Sequence, residues 1–353
     1  MKLFHCSNCD NPLYFENTRC LACNSEVGFH TRHLAIITLR RTDDNEIFLS
    51  DDFPEEKLRF CSNQQTVGCN WLVNAGNGDG FCVSCKLNKT IPNLSEPDNI
   101  TRWQHLEAAK KRLIYSLMKL KLPFRGDTRS QDRGLQFEFL SSDLAGRPVM
   151  TGHLDGLITI NIEEADEIQR HLTRIRMKES YRTVLGHFRH ETGHYYWNRL
   201  VRDFGILSSF RALFGNEEAN YTDAIEKYYR EGPSPGWKES FISEYACAHP
   251  WEDWAETFAH YLHVTDSLET AWSFGLQLTA EKSDQAGETT GDPYEEKDFR
   301  KMIAVWLPLS IAMNNMNRSM GHNDFYSFYL SARSLEKLSF VHQLCRQWKS
   351  QFS

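Results

Sequence analysis

Two histidines and a glutamate with metal-binding spacing lie near the middle of the chain, in the segment H-E-T-G-H at residues 190–194. In a helix, His190 and His194 are four positions apart and project from one face, so both imidazoles can bind a single Zn²⁺. Glu191 would then lie beside the ion, where its carboxylate can take a proton from water and pass it to a leaving amine. This HExxH pattern indicates metal-assisted hydrolysis.

The residues around the motif predict the helix that it needs, over residues 179–203. Val184, Leu185 and Phe188 have helical spacing, and no proline interrupts the segment. Gly193 costs about 1 kcal/mol relative to alanine in a helix interior, which indicates that another element packs closely there. The alternative is an ordinary helix with two histidines that bind no metal.

A third ligand is needed to complete the site. Trp197 and Leu200 occupy the positions where a metzincin would have glycine and histidine, so that class is excluded. Residues 249–263 predict a second helix, with Pro250 in its first turn. One face of this helix carries the acidic residues Glu252 and Glu256, and another carries an apolar stripe, formed by Trp251, Trp254, Ala255, Phe258 and Leu262.

Carboxylates four residues apart on a helix repel each other unless a cation lies between them. We therefore predict Glu252 as the third zinc ligand, with Glu256 accepting the ring N–H of a ligand histidine. The alternative is an amphipathic helix with a solvated acidic face. The tetrahedral oxyanion of a hydrolysis also needs a hydrogen-bond donor. The candidates are Tyr245, Tyr261, His249 and His263, of which Tyr245 and His263 are the predicted catalytic residues.

Eight of the ten cysteines fall in the first 85 residues, in a pattern that suits metal better than disulfides. Cys6-x2-Cys9 and Cys20-x2-Cys23 are two zinc knuckles that can close on one Zn²⁺. A redox dithiol pair is the alternative. Cys61, Cys69, Cys82 and Cys85 form a second set with one regular and one stretched pair, for which a second four-thiolate site is predicted. Alternatively, Cys61 or Cys69 is a small buried hydrophobe.

The length of 353 residues and the cysteine distribution predict a zinc-ribbon module at 1–90, a linker at 91–98 and a catalytic domain at 99–353. We expect an α+β fold, mainly helical, with a small sheet. Strands are predicted at 135–139 and 156–161, and a free strand edge ahead of the metal helix can pair with an extended peptide.

Charge and hydropathy exclude several classes of partner. The chain has a net charge of −7, and residues 1–90 carry nine Lys and Arg against eleven Asp and Glu, so the module lacks the basic surface that nucleic acid requires. The chain has no apolar run long enough for a membrane span and no signal peptide, which predicts a cytoplasmic protein. We expect the ribbon module to have a structural or protein-docking role.

The two cysteine sets, residues 156–161, residues 186–197 and residues 249–263 together resemble the bacterial zinc-binding metallopeptidases with an N-terminal zinc ribbon. The resemblance spans nearly the whole chain and includes residues 69–73 and 317–321. It implies a gluzincin-like domain in which His190 and His194 are ligands and Glu191 is the base, with Glu252 at the third ligand position.

The function predicted from these patterns is a zinc-dependent peptidase with one catalytic and one or two structural zinc ions, acting on a peptide or protein. The chief alternative is a protein-binding adaptor that is stabilised by zinc and whose HExxH domain has no catalytic activity. A zinc deaminase is the third class, but its Pro-Cys-x2-Cys element would lie near the metal, and here the cysteine pairs are remote from Glu191.

Overall fold

A computed structural model describes residues 2–44, 46–76, 78–126, 133–141, 149–177, 183–278 and 291–351. These residues form an α+β fold rich in helix, which confirms the predicted fold class. The helices are α1 Gln64–Val67, α2 Pro97–Lys119, α3 Glu167–Met177, α4 Val184–Trp197, α5 Leu207–Phe214, α6 Tyr221–Glu231, α7 Pro250–Ser273, α8 Phe299–Ser319 and α9 Ala332–Gln351. The strands are β1 Phe4–His5, β2 Pro12–Leu13, β3 Glu26–His30, β4 Ala35–Arg41, β5 Phe48–Ser50, β6 Phe53–Phe60, β7 Leu72–Asn74, β8 Asn88–Thr90, β9 Gln136–Leu140, β10 Gly152–Leu154 and β11 Leu157–Asn161.

The strands form three sheets. The largest has the order β3-β4-β5-β6-β7 with antiparallel neighbours, and β1 pairs with β2 in a small ribbon. The third sheet has the order β10-β11-β9-β8 and includes a parallel pair, β8 with β9. The predicted strands at 135–139 and 156–161 correspond to β9 and β11. Along β9 the buried side chains of Phe137 and Phe139 alternate with less buried ones, because successive side chains of a strand point to opposite faces of the sheet.

The chain divides into two compact units. The first comprises Met1–Tyr115, Gln136–Thr151 and Thr159–Glu167, and the second comprises Ser116–Leu135, Gly152–Ile158 and Ile168–Ser353.

The first unit has its core on the five-stranded sheet and beside it. The buried side chains of the sheet core are Ile37, Leu39, Phe48, Leu58 and Leu72. A second group of aromatic rings packs mostly edge to face, with ring centroids 4.9 to 6.3 Å apart, and consists of Phe15, Phe29, Trp71 and Tyr115. Such aromatic packing adds to the apolar burial of this cysteine-rich unit.

The second unit is organised around α4 and α7, which pack against each other. The approach is close at Gly193, because a Cβ atom built there would lie 3.0 Å from Ala255 Cα and 3.1 Å from its carbonyl oxygen. The expectation that an element packs tightly against this glycine is therefore confirmed.

Both helices have defined beginnings. The Thr183 hydroxyl accepts a hydrogen bond from the backbone N–H of Gly186 at 2.9 Å, so α4 begins at Val184. The predicted start at residue 179 lies outside the described residues. Pro250 occupies the first turn of α7, as predicted, and His249 Nδ1 accepts the backbone N–H of Trp251 at 3.1 Å. None of the described helices is both long and apolar enough to cross a membrane.

Candidate metal centres

The first candidate centre joins α4 and α7 within the second unit. His190 and His194 lie one turn apart on α4, with ring centroids 5.0 Å apart, and Glu252 reaches them from the first turn of α7. The distance from His190 Nε2 to Glu252 Oε2 is 3.0 Å, and that from His194 Nε2 to Glu252 Oε1 is 3.5 Å. One ligand atom from each of the three residues therefore lies within 4.8 Å of the others.

The orientation of these groups tests whether they fit a metal. Glu252 is 1 % exposed, and among the described residues its Oε2 atom has no hydrogen-bond partner, although His190 Nε2 is near. An unsatisfied buried carboxylate oxygen is costly. Two imidazole nitrogens and one carboxylate oxygen that lie this close together are a donor set that suits Zn²⁺.

His190 is oriented from behind by Glu256, one turn beyond Glu252 on α7. His190 Nδ1 donates to Glu256 Oε1 at 2.7 Å, which leaves Nε2 free to act as a ligand. The second oxygen of Glu256 accepts from the Ser243 hydroxyl at 2.6 Å, and that hydroxyl accepts from the backbone N–H of Ala246 at 3.1 Å. Glu256 thus contacts the ring N–H of His190, and its role behind a zinc ligand stays a prediction.

The electrostatics of the centre favour a positive charge between the two carboxylates. Burial by itself lowers the pKa of His190, but Glu252 and Glu256 outweigh it and hold that pKa well above its ordinary value. Burial raises the pKa of Glu252, yet the neighbouring imidazoles of His194 and His190 bring it well below its usual range. The pKa of Glu256 falls to about 2 because the contact with His190 exceeds the effect of burial. A divalent cation at this point would also place positive charge beside these carboxylates.

Glu191, the predicted base, differs from these two carboxylates. Burial raises its pKa, and the neighbouring charges of Glu252 and Glu256 add to that shift, while His190 and His194 oppose it. A carboxylate with a raised pKa is a better proton acceptor than an ordinary glutamate.

The four predicted oxyanion donors lie in different places. The Tyr245 ring centroid is 5.9 Å from that of His190, and burial holds its pKa well above the ordinary value, so its hydroxyl stays protonated. His249 caps α7, and its Nε2 donates to the carbonyl of Ala219 at 3.1 Å. Tyr261 is a core residue, 1 % exposed, whose hydroxyl contacts His342.

His263, the other predicted catalytic residue, lies eleven residues beyond Glu252 on the same continuous helix, about 16 Å along its axis at 1.5 Å per residue. Its ring bonds to the Arg189 guanidinium. The structure does not bring it to the three ligands, and its catalytic role stays a prediction.

Sequence reasoning did not find Tyr221, the first residue of α6. Its hydroxyl donates to Glu252 Oε1 at 2.8 Å, and its ring packs at 5.2 Å on His249 and at 6.0 Å on Trp251. Tyr221 lies within a segment that reads as an unremarkable helix, and nothing in its spacing relates it to Glu252. Only the tertiary contact reveals it.

His153 on β10 was also missed. Its ring lies 6.0 Å from the His194 ring, and its Nε2 accepts the backbone N–H of Gly156 at 2.9 Å. Burial lowers the pKa of His153 to about 3, so the ring is neutral and carries its proton on Nδ1. A fixed N–H donor therefore lies beside α4, on β10, a strand that no sequence pattern linked to the HExxH segment.

The second candidate centre is the amino-terminal cysteine set, in the first unit. The Sγ atoms of Cys6 and Cys23 are 3.7 Å apart and those of Cys9 and Cys20 are 3.6 Å apart. Four thiolates bound to zinc at 2.3 Å in a tetrahedron lie about 3.8 Å from each other, so the set fits. The residues after the two pairs explain the turns. Asp10 and Asn24 have left-handed φ values of 59° and 61°, and each donates its backbone N–H to the carbonyl of the first cysteine of its pair.

The third candidate centre has the same form but deeper burial. Cys69 Sγ lies 3.8 Å from the Sγ atoms of Cys82 and Cys85, and Cys61 completes the group. All four are buried. Two backbone N–H groups donate hydrogen bonds to these sulfur atoms. The N–H of Cys82 donates to Cys61 Sγ at 3.3 Å, and the N–H of Cys85 donates to Cys82 Sγ at 3.4 Å. The stretched pair thus joins the regular pair in one cluster that can hold zinc.

His30 and His33 do not join either cysteine group. They lie with Glu56 and stack on Phe53, and His30 Nε2 bonds to a Glu56 oxygen at 3.1 Å. The guanidinium of Arg32 is 3.8 Å from the other oxygen of Glu56, so this carboxylate already has cationic and hydrogen-bond partners.

Comparisons with known proteins agree with these centres. Residues 99–344 match a family described as "Putative zinc-binding metallo-peptidase", and residues 3–96 match a zinc-ribbon domain. Proteins of Mycobacterium bovis and of two Mycobacterium tuberculosis strains, CDC 1551 and H37Rv, are each 43% identical over 343 residues, which is 97% of this chain and 94% of the relative. Each is described as an uncharacterized protein. No solved structure matches the chain significantly.

Proposed function

The chain belongs to this family of zinc-binding metallo-peptidases, and from that premise we propose that it hydrolyses peptide bonds at a zinc site made by His190, His194 and Glu252. The observation that carries the proposal is the convergence of these three side chains, with Glu256 holding the ring N–H of His190. Three protein ligands are the number typical of catalytic rather than structural zinc, because a fourth position stays open for water.

Each residue of the centre has a chemical task in this proposal. Zinc bound here supplies a Lewis acid that lowers the pKa of water and polarises the scissile carbonyl. Glu191 accepts the proton of the attacking water, a task for which its raised pKa suits it, and returns that proton to the leaving amine. Glu256 fixes the tautomer and orientation of His190.

Tyr245 is the proposed donor to the developing oxyanion. Its ring lies 5.9 Å from the His190 ring and its hydroxyl stays protonated. A preorganised hydroxyl donor at such a position is worth about 3 kcal/mol of transition-state stabilisation.

The proposed substrate is an extended peptide or protein segment. Among the described strands β10 lies at one end of its sheet, so one side of it has no described neighbour in that sheet, and the His153 ring on β10 lies 6.0 Å from the His194 ring. An extended chain added along that edge would gain backbone hydrogen bonds and pass beside the ligand helix.

The remaining zinc is proposed to be structural. The two cysteine groups each offer four thiolates, which closes the coordination sphere and leaves no place for substrate. The proposed content is therefore three zinc ions, one at the histidine centre and one in each cysteine group.

The test of the proposal is Glu191→Gln in the full chain. Wild type and variant are incubated with a mixture of peptides of varied sequence, and new peptide ends are found by mass spectrometry. The expected result is cleavage by the wild type, suppressed by a chelator, and a loss of at least about 1000-fold in the variant with an unchanged zinc content. Glu226→Gln, on the exposed face of α6, is the matched control and should cleave like wild type.

Two results would contradict the proposal. Cleavage by Glu191→Gln at the wild-type rate would contradict the assignment of Glu191 as the general base. A wild-type chain that carries zinc at the histidine centre and cleaves no peptide would favour the adaptor instead.

A further inference from the structure

The two oxygens of Glu252 have different surroundings. Oε2 lies 3.0 Å from His190 Nε2 and has no hydrogen-bond partner among the described residues, whereas Oε1 accepts the Tyr221 hydroxyl at 2.8 Å. Oε1 also lies 3.5 Å from His194 Nε2. Each oxygen thus has one imidazole beside it, and the position of the carboxylate alone would allow either oxygen, or both, to reach a shared ion.

The number of oxygens that bind decides whether the centre can catalyse. Two imidazoles and both oxygens of Glu252 would fill the four positions that zinc prefers. Two imidazoles and one oxygen leave the fourth position for water. The Tyr221 hydroxyl occupies one of the two lone pairs of Oε1 and fixes the orientation of the carboxylate, whereas both lone pairs of Oε2 remain available, so the Tyr221 contact biases the choice towards Oε2.

The position of the Tyr221 side chain is fixed by the cap of its helix and by two ring contacts. It is the first residue of α6, and the side chain of Asn220 caps that helix by accepting the backbone N–H of Asp223 at 3.2 Å. The Tyr221 ring makes T-shaped contacts with the rings of His249, at 5.2 Å, and Trp251, at 6.0 Å. These two residues flank Pro250 at the start of α7. The same short segment of α7 therefore fixes both the hydroxyl donor and the carboxylate that accepts from it.

We propose that Tyr221 is a positioning residue that limits Glu252 to one-oxygen coordination and so keeps a coordination position of the metal open for water. The effect on catalysis rests on the proposed function. The number of Glu252 oxygens that bind the ion can be measured whether or not the protein cleaves peptides.

The experiment compares zinc-loaded crystals of the full chain as wild type, Tyr221→Phe and Tyr329→Phe. The substitution at 221 removes only the hydroxyl oxygen, and Tyr329 is an exposed tyrosine that serves as the matched control. The readout is the two zinc–oxygen distances to Glu252. In wild type and in Tyr329→Phe, one distance should be a bond of about 2.0–2.2 Å and the other should not. In Tyr221→Phe both oxygens should bind.

Two further readouts come from the same proteins. Zinc affinity of Tyr221→Phe, measured by competition with a chelator, should equal or exceed that of wild type, because the carboxylate gains a bond. Where the wild type cleaves peptide, kcat of Tyr221→Phe should fall about 10–100-fold with a smaller change in KM, the size typical of a residue that orients a ligand.

One-oxygen coordination in Tyr221→Phe, or two-oxygen coordination in wild type, would overturn the inference. A wild type without peptidase activity would count against the proposed function only, since the coordination distances still decide the role of Tyr221.

Discussion

The indole N–H of Trp254 on α7 donates a hydrogen bond to the carbonyl oxygen of Gly193 on α4, across 2.9 Å. The carbonyl belongs to the residue before His194, and the indole lies two residues after Glu252, so the contact joins the segments that carry these two candidate ligands. It ties α4 and α7 together at the point where the absence of a side chain on Gly193 lets their backbones approach.

Gly193→Ala should destabilise the second unit although alanine favours helix by about 1 kcal/mol. The added methyl would meet backbone atoms of Ala255, which cannot rotate away, and overpacking of this kind costs about 1–3 kcal/mol. We expect a lower Tm and weaker zinc binding. Gly291→Ala is the control, because a Cβ there has no atom of the described residues within 4 Å. Equal Tm values for the two variants would contradict the expected close packing.

Glu256→Gln should lower the zinc affinity of the histidine centre by about 10–100-fold, since a neutral amide replaces the carboxylate that accepts the His190 ring N–H. Competition with a chelator of known affinity measures this change. Glu226→Gln should bind zinc like wild type. An unchanged affinity in Glu256→Gln would mean that His190 needs no carboxylate behind it.

Acidification should destabilise the fold through His260. This residue is 3 % exposed, its Nδ1 contacts the Tyr326 hydroxyl at 2.9 Å, and burial lowers its pKa to about 4, with Glu256 partly opposing the shift. The unfolded chain therefore binds a proton at higher pH than the folded chain. The stability contributed by neutral His260 is present above the unfolded value of about 6.5 and is lost as the pH falls towards about 4, by at most roughly 1.4 kcal/mol per pH unit.

Urea unfolding at about pH 7.5 and about pH 5 tests this dependence in wild type and His260→Asn, a variant that keeps a polar atom near the position of Nδ1. Acid also weakens zinc binding in both proteins, so the quantity of interest is the difference between their two pH dependences. The variant should lose less stability on acidification. Identical losses would exclude His260 as the group responsible.

Cys69→Ala should carry two zinc ions where the wild type carries three, because Cys69 lies 3.8 Å from two other sulfur atoms of a buried group. Metal analysis of the purified proteins measures the content, and a lower unfolding midpoint should accompany the loss. Cys247→Ala is the control, since Cys247 belongs to no metal group in the described chain and should retain three ions. Three zinc ions in Cys69→Ala would contradict the prediction that Cys61, Cys69, Cys82 and Cys85 form a second four-thiolate site.

The sequence predicts those parts of the molecule that follow from short-range periodicity. His190 and His194 share a helix face because of their spacing, and Glu252 and Glu256 do so for the same reason. The structure then brings His190, His194 and Glu252 together. The knuckle pairs are likewise local, since a Cys-x2-Cys turn brings two thiolates to one point by its own geometry.

Contacts of residues outside the recognised motifs could not be predicted in this way. Tyr221 reaches Glu252 only because α6 and α7 meet, and His153 reaches the His194 ring only because β10 lies beside α4. The same holds for Asp253, a fully buried carboxylate whose partner, the Lys337 ammonium, is 2.6 Å away on α9. A residue type and its neighbours in the chain carry no information about such a partner.

The two cysteine groups differ in what solvent can reach. In the amino-terminal group Cys9 is exposed and Cys23 is partly exposed. All four sulfur atoms of the other group are shielded. Peroxide or disulfide reagents attack accessible thiolates first, so we expect oxidation to reach the group of Cys6, Cys9, Cys20 and Cys23, and to release zinc held there, before it reaches the buried group.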